Sequence, residues 1–191
     1  MKQVAFLRAV NVAGHPRVTI DRLSAAFVSA GCLNVTTHLQ SGNVIFEPPA
    51  GTASALSGIR TRLQRVLGEE PMLAVRSAGQ MRRLVSVGFP GGVHPSPAVK
   101  CYVAFLFRPA RAAAACPIVS PRDALEIRAI RGRHAFVVSR RKPNGFFGLP
   151  NNFVEAALGI PATTRNWSTV TKIAELLAAD RPRPRGSSPS A

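Results

Sequence analysis

The stretch Gln40-Ser41-Gly42-Asn43-Val44-Ile45-Phe46 carries most of the information about the fold, because a polar turn leads directly into a short apolar run. Small hydrogen-bonding residues favour turns, and a short apolar run favours a buried strand. The same rules, applied outward along the chain, predict a first strand at Val4-Ala5-Phe6-Leu7. The other elements predicted for the first half are strands at 33–37 and 72–76 and helices at 20–30, 54–67 and 78–87.

Up to the fourth strand, this order is βαββαβ, the split-βαβ or ferredoxin-like arrangement. Strands one and three are then central, antiparallel neighbours, so the end of the first lies beside the start of the third. We therefore expect Arg8 and Asn11 to lie close to Ser41 and Asn43. Such a polar cluster, with the amide of Gly42, has the chemistry to hold an anion. The alternative is that Ser41, Gly42 and Asn43 only shape the turn.

The second half of the chain has a similar β-α-β-β-α pattern, although sequence identity between the halves is negligible. A hairpin about Arg131-Gly132 is predicted, with Ile127 facing Phe136 and Leu125 facing Val138 on one apolar face. The remaining elements predicted there are a strand at 101–107, one or two helical turns within 108–116, a helix from Pro150 to Gly159, and a final helix capped by Ser168.

The Gly- and Pro-rich stretch at 88–97 predicts a boundary between two subdomains. These subdomains cover residues 1–88 and 98–179. A basic tail rich in Pro and Ser follows at 180–191, and its composition is typical of disorder.

The charge of the chain indicates the sign of its partners. Lys and Arg number 25 against 9 Asp and Glu, which gives a formal net charge of +16. A field of this sign favours anionic partners such as nucleic acid. The alternative is a compositional bias that inserts arginine wherever the surface tolerates it. The sequence does not define an oligomeric state.

Cysteine and hydropathy patterns limit the compartments and cofactors that the sequence allows. The three cysteines, Cys32, Cys101 and Cys116, are odd in number and have no zinc-site spacing. We expect free thiols and a cytoplasmic location. The N-terminus does not resemble a signal peptide, and no apolar run approaches the roughly 20 residues that span a membrane. We therefore predict no cofactor, no metal and no membrane partner.

A second polar stretch, Ala162-Thr163-Thr164-Arg165-Asn166-Trp167, precedes the final helix. The start of a helix offers free amides to an anion, Arg165 is suited to a phosphate, and Trp167 is suited to stacking on a base. Alternatively, Trp167 packs the two subdomains together while Arg165 and Asn166 bind loop carbonyls.

These motifs resemble those of the bacterial family known as domain of unknown function 1697. The stretches that carry the resemblance are 7–14, 40–46, 143–145 and 162–170. It implies an α+β protein of two ferredoxin-like subdomains, with antiparallel sheets and helices packed on one face, and no established enzymatic activity. Ala9 and Ala13 stand where the family usually has glycine, so a ligand cradled by that loop would be bound less well.

The sequence therefore favours a non-catalytic binding module for an anionic ligand, either nucleic acid or a nucleotide. Two alternatives remain: an enzyme acting on a phosphorylated substrate, with no identifiable catalytic base, and a purely structural or interaction protein. No catalytic residue is assigned. The candidate ligand-binding residues are Arg8, Asn11, Ser41, Gly42, Asn43, Thr164, Arg165, Asn166 and Trp167.

Overall fold

A computed structural model of the chain describes residues 1–8, 19–38, 42–49, 52–110 and 115–179, with the backbone alone at 52–55. The first half confirms the predicted order of elements, and Ser77 caps its third helix by accepting the Gln80 backbone N–H. The elements are strands β1 (Gln3–Leu7), β2 (Leu33–Thr37), β3 (Asn43–Glu47) and β4 (Leu73–Ser77) and helices α1 (Ile20–Val28), α2 (Thr52–Leu67) and α3 (Ala78–Ser86).

The second half contains five strands and two helices among its described residues. The predicted helical turns near 108–116 fall partly outside the described residues, as does the whole predicted tail at 180–191. The elements are strands β5 (Val99–Leu106), β6 (Ile118–Ser120), β7 (Leu125–Arg131), β8 (His134–Arg140) and β9 (Ala162–Asn166) and helices α4 (Pro150–Leu158) and α5 (Trp167–Ala178).

Both sheets are antiparallel, which confirms the α+β class. The first has the order β2-β3-β1-β4, and the second has the order β6-β7-β8-β5-β9. Phe6 pairs with Asn43, and the Leu7 amide donates to the Gly42 carbonyl at 2.8 Å. The end of β1 therefore lies beside the start of β3, as predicted. Asn11 and Ser41, two residues of the predicted cluster, lie outside the described residues.

The β-α-β-β-α pattern predicted for the second half contains no strand before the last helix, and this prediction is wrong. Residues 162–166 form the edge strand β9, in which Arg165 lies opposite Val103 of β5. The segment becomes a strand because its backbone forms hydrogen bonds with β5, whereas its own polar composition does not predict a strand. The cap prediction is also wrong, because α5 begins at Trp167 with Asn166 at its N-cap, two residues before the expected cap Ser168.

The sheets and helices form layers. One face of the first sheet packs on α1 and α2, through a cluster that includes Phe27 and Ile59, and the outer face of the second sheet packs on α4. The other faces of the two sheets share a central cluster with α3 and α5. The prediction of helices on one face of each sheet is thus wrong for both sheets. The first has α1 and α2 on one face and α3 on the other, and the second has α4 on one face and α5 on the other.

The β7–β8 hairpin has a different register from the predicted one. Gly132 and Arg133 form its turn, Ile127 lies opposite Val137, and an irregularity between Ile127 and Ala129 shifts the ladder. Leu125 and Ile127 therefore face α4, whereas Phe136 and Val138 belong to the central cluster. In β8 both alternating sets are apolar, Ala135 with Val137 and Phe136 with Val138, because both faces of the sheet are buried there, so alternation alone could not assign its faces.

The two halves are internally related. If β5, β7, β8 and β9 are taken as strands one to four, the second sheet repeats the order of the first, with β6 added at one edge. The quartet Val4-Ala5-Phe6-Leu7 recurs as Val103-Ala104-Phe105-Leu106. The Phe6 and Phe105 rings stack with their centroids 3.9 Å apart. The subdomain boundary at 88–97 stays a prediction, since the central cluster draws residues from both sides of it.

Candidate functional site

Arg165 brings the two predicted motifs together in space. Its side chain is buried, and it crosses from β9 to the first sheet. Nε donates to Asn43 Oδ1, and Nη2 donates to the carbonyls of Leu7 at 2.8 Å and Gly42 at 3.5 Å. Nη1 donates to Thr163 Oγ1 and to the Thr164 carbonyl, each at 2.8 Å. All five N–H groups of the guanidinium are therefore directed to protein acceptors.

This arrangement is a fastening between the halves, which we call the Arg165 clasp and define as Arg165 with Leu7, Gly42, Asn43 and Thr163. Asn43 is itself fixed, since its Nδ2 donates to the His38 carbonyl at 2.9 Å. Burial lowers the pKa of Arg165 to about 10. Because the five N–H groups of the Arg165 guanidinium all donate to protein acceptors, none remains to bind a phosphate.

The other predicted site residues are dispersed around the clasp. Arg8 donates to Glu155 Oε2 at 2.8 Å, so it pairs with a carboxylate of the second half. Asn166 is exposed at the start of α5, without a side-chain cap. Trp167 packs on Phe89 and Phe136, with ring centroids 5.6 and 6.3 Å away. Trp167 therefore packs against the central cluster, and its two ring partners lie outside residues 1–88, so the alternative that it packs the two subdomains together stays a prediction.

A second clasp, which sequence reasoning missed, is built on Arg76 of β4. Arg76 is only 4% exposed. Its Nε donates to His134 Nε2 at 2.9 Å, and its Nη2 donates to the carbonyls of Leu106 at 3.3 Å and Arg133 at 3.1 Å. Nη1 donates to the Val75 carbonyl at 2.9 Å. We call this group of five residues the Arg76 clasp.

The two clasps are equivalent by the internal repeat. Each arginine lies on the fourth strand of one half, and it reaches the end of the first strand and the start of the third strand of the other half. Arg76 lies 5.6 Å from the Phe105 ring centroid, and Arg165 lies 5.7 Å from that of Phe6. The sequence contains a signal of this symmetry in the repeated quartets at 4–7 and 103–106. Each quartet is followed, further along the chain, by a strand that carries an arginine and leads into a helix: Arg76 in β4 and Arg165 in β9.

The clasps differ at two positions. His134 accepts from Arg76 where Asn43 accepts from Arg165, and Ala74 stands where Thr163 supplies a hydroxyl. Burial first, and then the charge of Arg76, lowers the pKa of His134 to about 4, against a hydrogen bond to the Arg131 backbone that raises it. Burial, followed by the charge of Arg133, lowers the pKa of Arg76 to about 10.

Beside the Arg76 clasp lies a groove of about 580 Å³. Strand β4, the end of β5 and the helix α2 line it, and it contains the side chains of Arg60, Arg76 and Arg133 with a single carboxylate, Glu70. Arg60 and Arg133 are exposed. Within the described part of the chain, none of these three arginines has a carboxylate within 4.0 Å. This groove, which we call the β4 groove, is an electropositive site that the motifs did not predict.

Fold and site together define a class: an α+β protein of two related antiparallel sheets, which reciprocal buried arginines fasten together. The chain belongs to the family described as "Protein of unknown function (DUF1697)", which it matches over residues 1–136. The predicted membership is thereby confirmed. The stretches 143–145 and 162–170, which also carried the resemblance, lie beyond the matched residues.

The fold has a counterpart among solved structures. The chain is similar to the conserved bacterial protein SP0830 from Streptococcus pneumoniae, with a TM-score of 0.61 and 15% sequence identity over 92% of this chain and 98% of that one. At this identity the likeness concerns the fold alone. No curated protein matches the sequence. In the described part of the chain, no helix has the length and apolar character needed to cross a membrane.

Proposed function

We propose that the protein is a non-catalytic, cytoplasmic binding module for an anionic ligand and that the β4 groove is its binding site. One observation carries the proposal: Arg60 and Arg133 project into a groove whose wall holds a third arginine, the buried Arg76, and these cations have no carboxylate partner among the described residues. Arginine is suited to binding phosphate and carboxylate groups, and a cleft lined by one sign of charge attracts the opposite sign.

The motif residues have a different role in this proposal. Arg165 joins the two sheets through Asn43 and Leu7, and the β4 groove lies between β4 of the first sheet and the end of β5 of the second. The Arg165 clasp therefore maintains the shape of the groove without contacting the ligand. We further propose that each half is a ferredoxin-like unit, which the shared 2-3-1-4 strand order supports.

The nucleic-acid form of this proposal is tested by binding of a fluorescent single-stranded oligonucleotide across a salt series. Arg60→Gln/Arg133→Gln is expected to weaken binding about tenfold or more, because two charge-assisted contacts are lost. The magnitude of the slope of log affinity against log salt should fall by about 1.4, since each phosphate contact on a single strand contributes about 0.7. Pyrophosphate should compete with the oligonucleotide.

The matched control is Arg83→Gln/Arg122→Gln, which removes the same charge from two exposed positions outside the groove. It should retain the wild-type slope. Equal loss of binding in both double variants would mean diffuse attraction to a basic surface and would contradict a site in the β4 groove.

A further inference from the structure

The internal repeat indicates which chemical group the β4 groove accepts, and this inference rests on the proposed function. In the second half, the corresponding space beside β9 is filled by Glu155 of α4. Its Oε1 accepts the Ala162 backbone N–H at 2.7 Å, and its Oε2 accepts from Arg8 at 2.8 Å. A carboxylate thus joins the outward amide of an edge strand to an arginine.

The equivalent backbone amide in the first half, that of Leu73, has no carboxylate partner among the described residues. Arg8 N donates to Met72 O, and Ala78 N donates to Lys2 O, so these alternate residues face β1 and Leu73 directs its N–H outward. Leu73 lies opposite Leu7, as Ala162 lies opposite Leu106. Among the described residues, no acceptor receives the Leu73 N–H.

The helix before β4 also lacks the carboxylate. In α4, Gly159 N donates to Glu155 O at the helix end, and in α2 the same bond joins Gly68 N to Gln64 O. Gln64 thus occupies the Glu155 position, and α2 contains no Asp or Glu at all. Glu70 does line the groove, but it is exposed and forms no ion pair within the described residues.

Arginine N–H groups remain available around this amide. Arg60 and Arg133 line the groove, and Arg76 adds a further donor. Thr163 Oγ1 accepts one N–H of Arg165 Nη1, whereas Ala74 has no hydroxyl to accept the equivalent N–H of Arg76. Of the two N–H groups on Arg76 Nη1, one donates to the Val75 carbonyl, and the other has no acceptor among the described residues.

We infer that the β4 groove binds a carboxylate, carried by a small organic acid or by an acidic peptide. One carboxylate oxygen accepts the Leu73 N–H, and the other lies between Arg60 and Arg133, so that the ligand supplies to the first half what Glu155 supplies to the second. Glu155 is the precedent for this choice, because its two oxygens accept from one backbone amide and one guanidinium, and a carboxylate carries two such adjacent acceptors.

The test is an NMR titration of the isotope-labelled full chain, in which the backbone amide of Leu73 is followed at constant ionic strength. The probes are succinate, an N-acetylated oligoglutamate peptide and inorganic phosphate. We expect the Leu73 resonance to move downfield and to saturate at a concentration of succinate or peptide about tenfold or more below that of phosphate. Saturation by succinate indicates a small acid, and saturation by the peptide alone indicates a polypeptide partner.

The variants separate the two proposals. Arg60→Gln/Arg133→Gln should raise the saturating concentration about tenfold, while Arg83→Gln/Arg122→Gln should leave it unchanged. If phosphate saturates the Leu73 resonance at an equal or lower concentration, the carboxylate inference is overturned and the proposed function stands. If no probe moves this resonance, the inference is overturned, and if oligonucleotide binding is also indifferent to Arg60 and Arg133, the proposed function falls with it.

Discussion

Arg165→Met is expected to lower the free energy of unfolding by about 3–5 kcal/mol, because Asn43 Oδ1 loses its bond from Arg165 and the Leu7 carbonyl keeps only the 3.3 Å bond from Thr163 Oγ1. A buried acceptor without a donor costs about 1–3 kcal/mol, and methionine keeps the side-chain length without restoring any hydrogen bond. For a chain of this size the melting temperature should fall by about 10 °C or more. Thermal unfolding followed by circular dichroism measures this change.

Two further variants identify which property of Arg165 causes this loss of stability. Arg83→Met removes an exposed arginine and should change the free energy of unfolding by less than about 0.5 kcal/mol. Arg165→Lys keeps the charge but not the planar fork, so it should lose most of the stability that Arg165→Met loses. Amide hydrogen exchange in β9 should accelerate in both Arg165 variants. A melting temperature within about 2 °C of wild type would show that the clasp does not hold the halves together.

Local periodicity sufficed to predict the first sheet, and the reason is physical. The apolar residues of β1 and β3 are separated by glycine and proline turns, and helices α1 and α2 have one apolar face each. The βαββαβ order then fixes which strands are neighbours. Topology alone placed the end of β1 beside the start of β3, where the Leu7 amide donates to the Gly42 carbonyl.

The second sheet was less predictable because its structure depends on partners distant in the chain. Strand β9 contains Thr163, Thr164, Arg165 and Asn166, and its polar composition is typical of a loop until β5 is beside it. The β7–β8 register failed for a related reason. Both faces of β8 are buried, so a shift of one residue in this strand leaves an apolar residue on either face.

Burial of the arginines was the largest omission from the sequence reasoning. Arginine is usually exposed, so the sequence predicted that Arg165 binds either a phosphate or loop carbonyls, and it carried no prediction for Arg76. Both lie in the interior because carbonyl groups at strand ends, which have no partner in their own sheet, need donors. The repeated quartet Val4–Leu7 and Val103–Leu106 was present in the sequence, and comparing the halves around it would have paired the two arginines.

The asymmetry between the clasps gives the Arg76 clasp a sensitivity to acid. His134 accepts the Arg76 Nε–H at 2.9 Å and must be neutral to do so. Its pKa is about 4 in the folded chain, against about 6.5 for histidine in an unfolded chain. Between these values the unfolded chain binds more protons, so the free energy of unfolding decreases as pH falls from about 6.5 to 4. The loss from this one group approaches about 3 kcal/mol.

His134→Asn should remove this loss, because asparagine does not titrate and its side-chain carbonyl can accept from Arg76 as Asn43 accepts from Arg165. Melting temperatures measured from pH 7 to pH 4 test the expectation: wild type should lose about 6–12 °C more than the variant over that interval. His94→Asn, which replaces an exposed histidine, is the control and should follow wild type. Carboxylates titrate in all three proteins, so only the difference between His134→Asn and wild type reports on the clasp. Parallel curves for these two proteins would contradict a neutral His134 as the acceptor for Arg76.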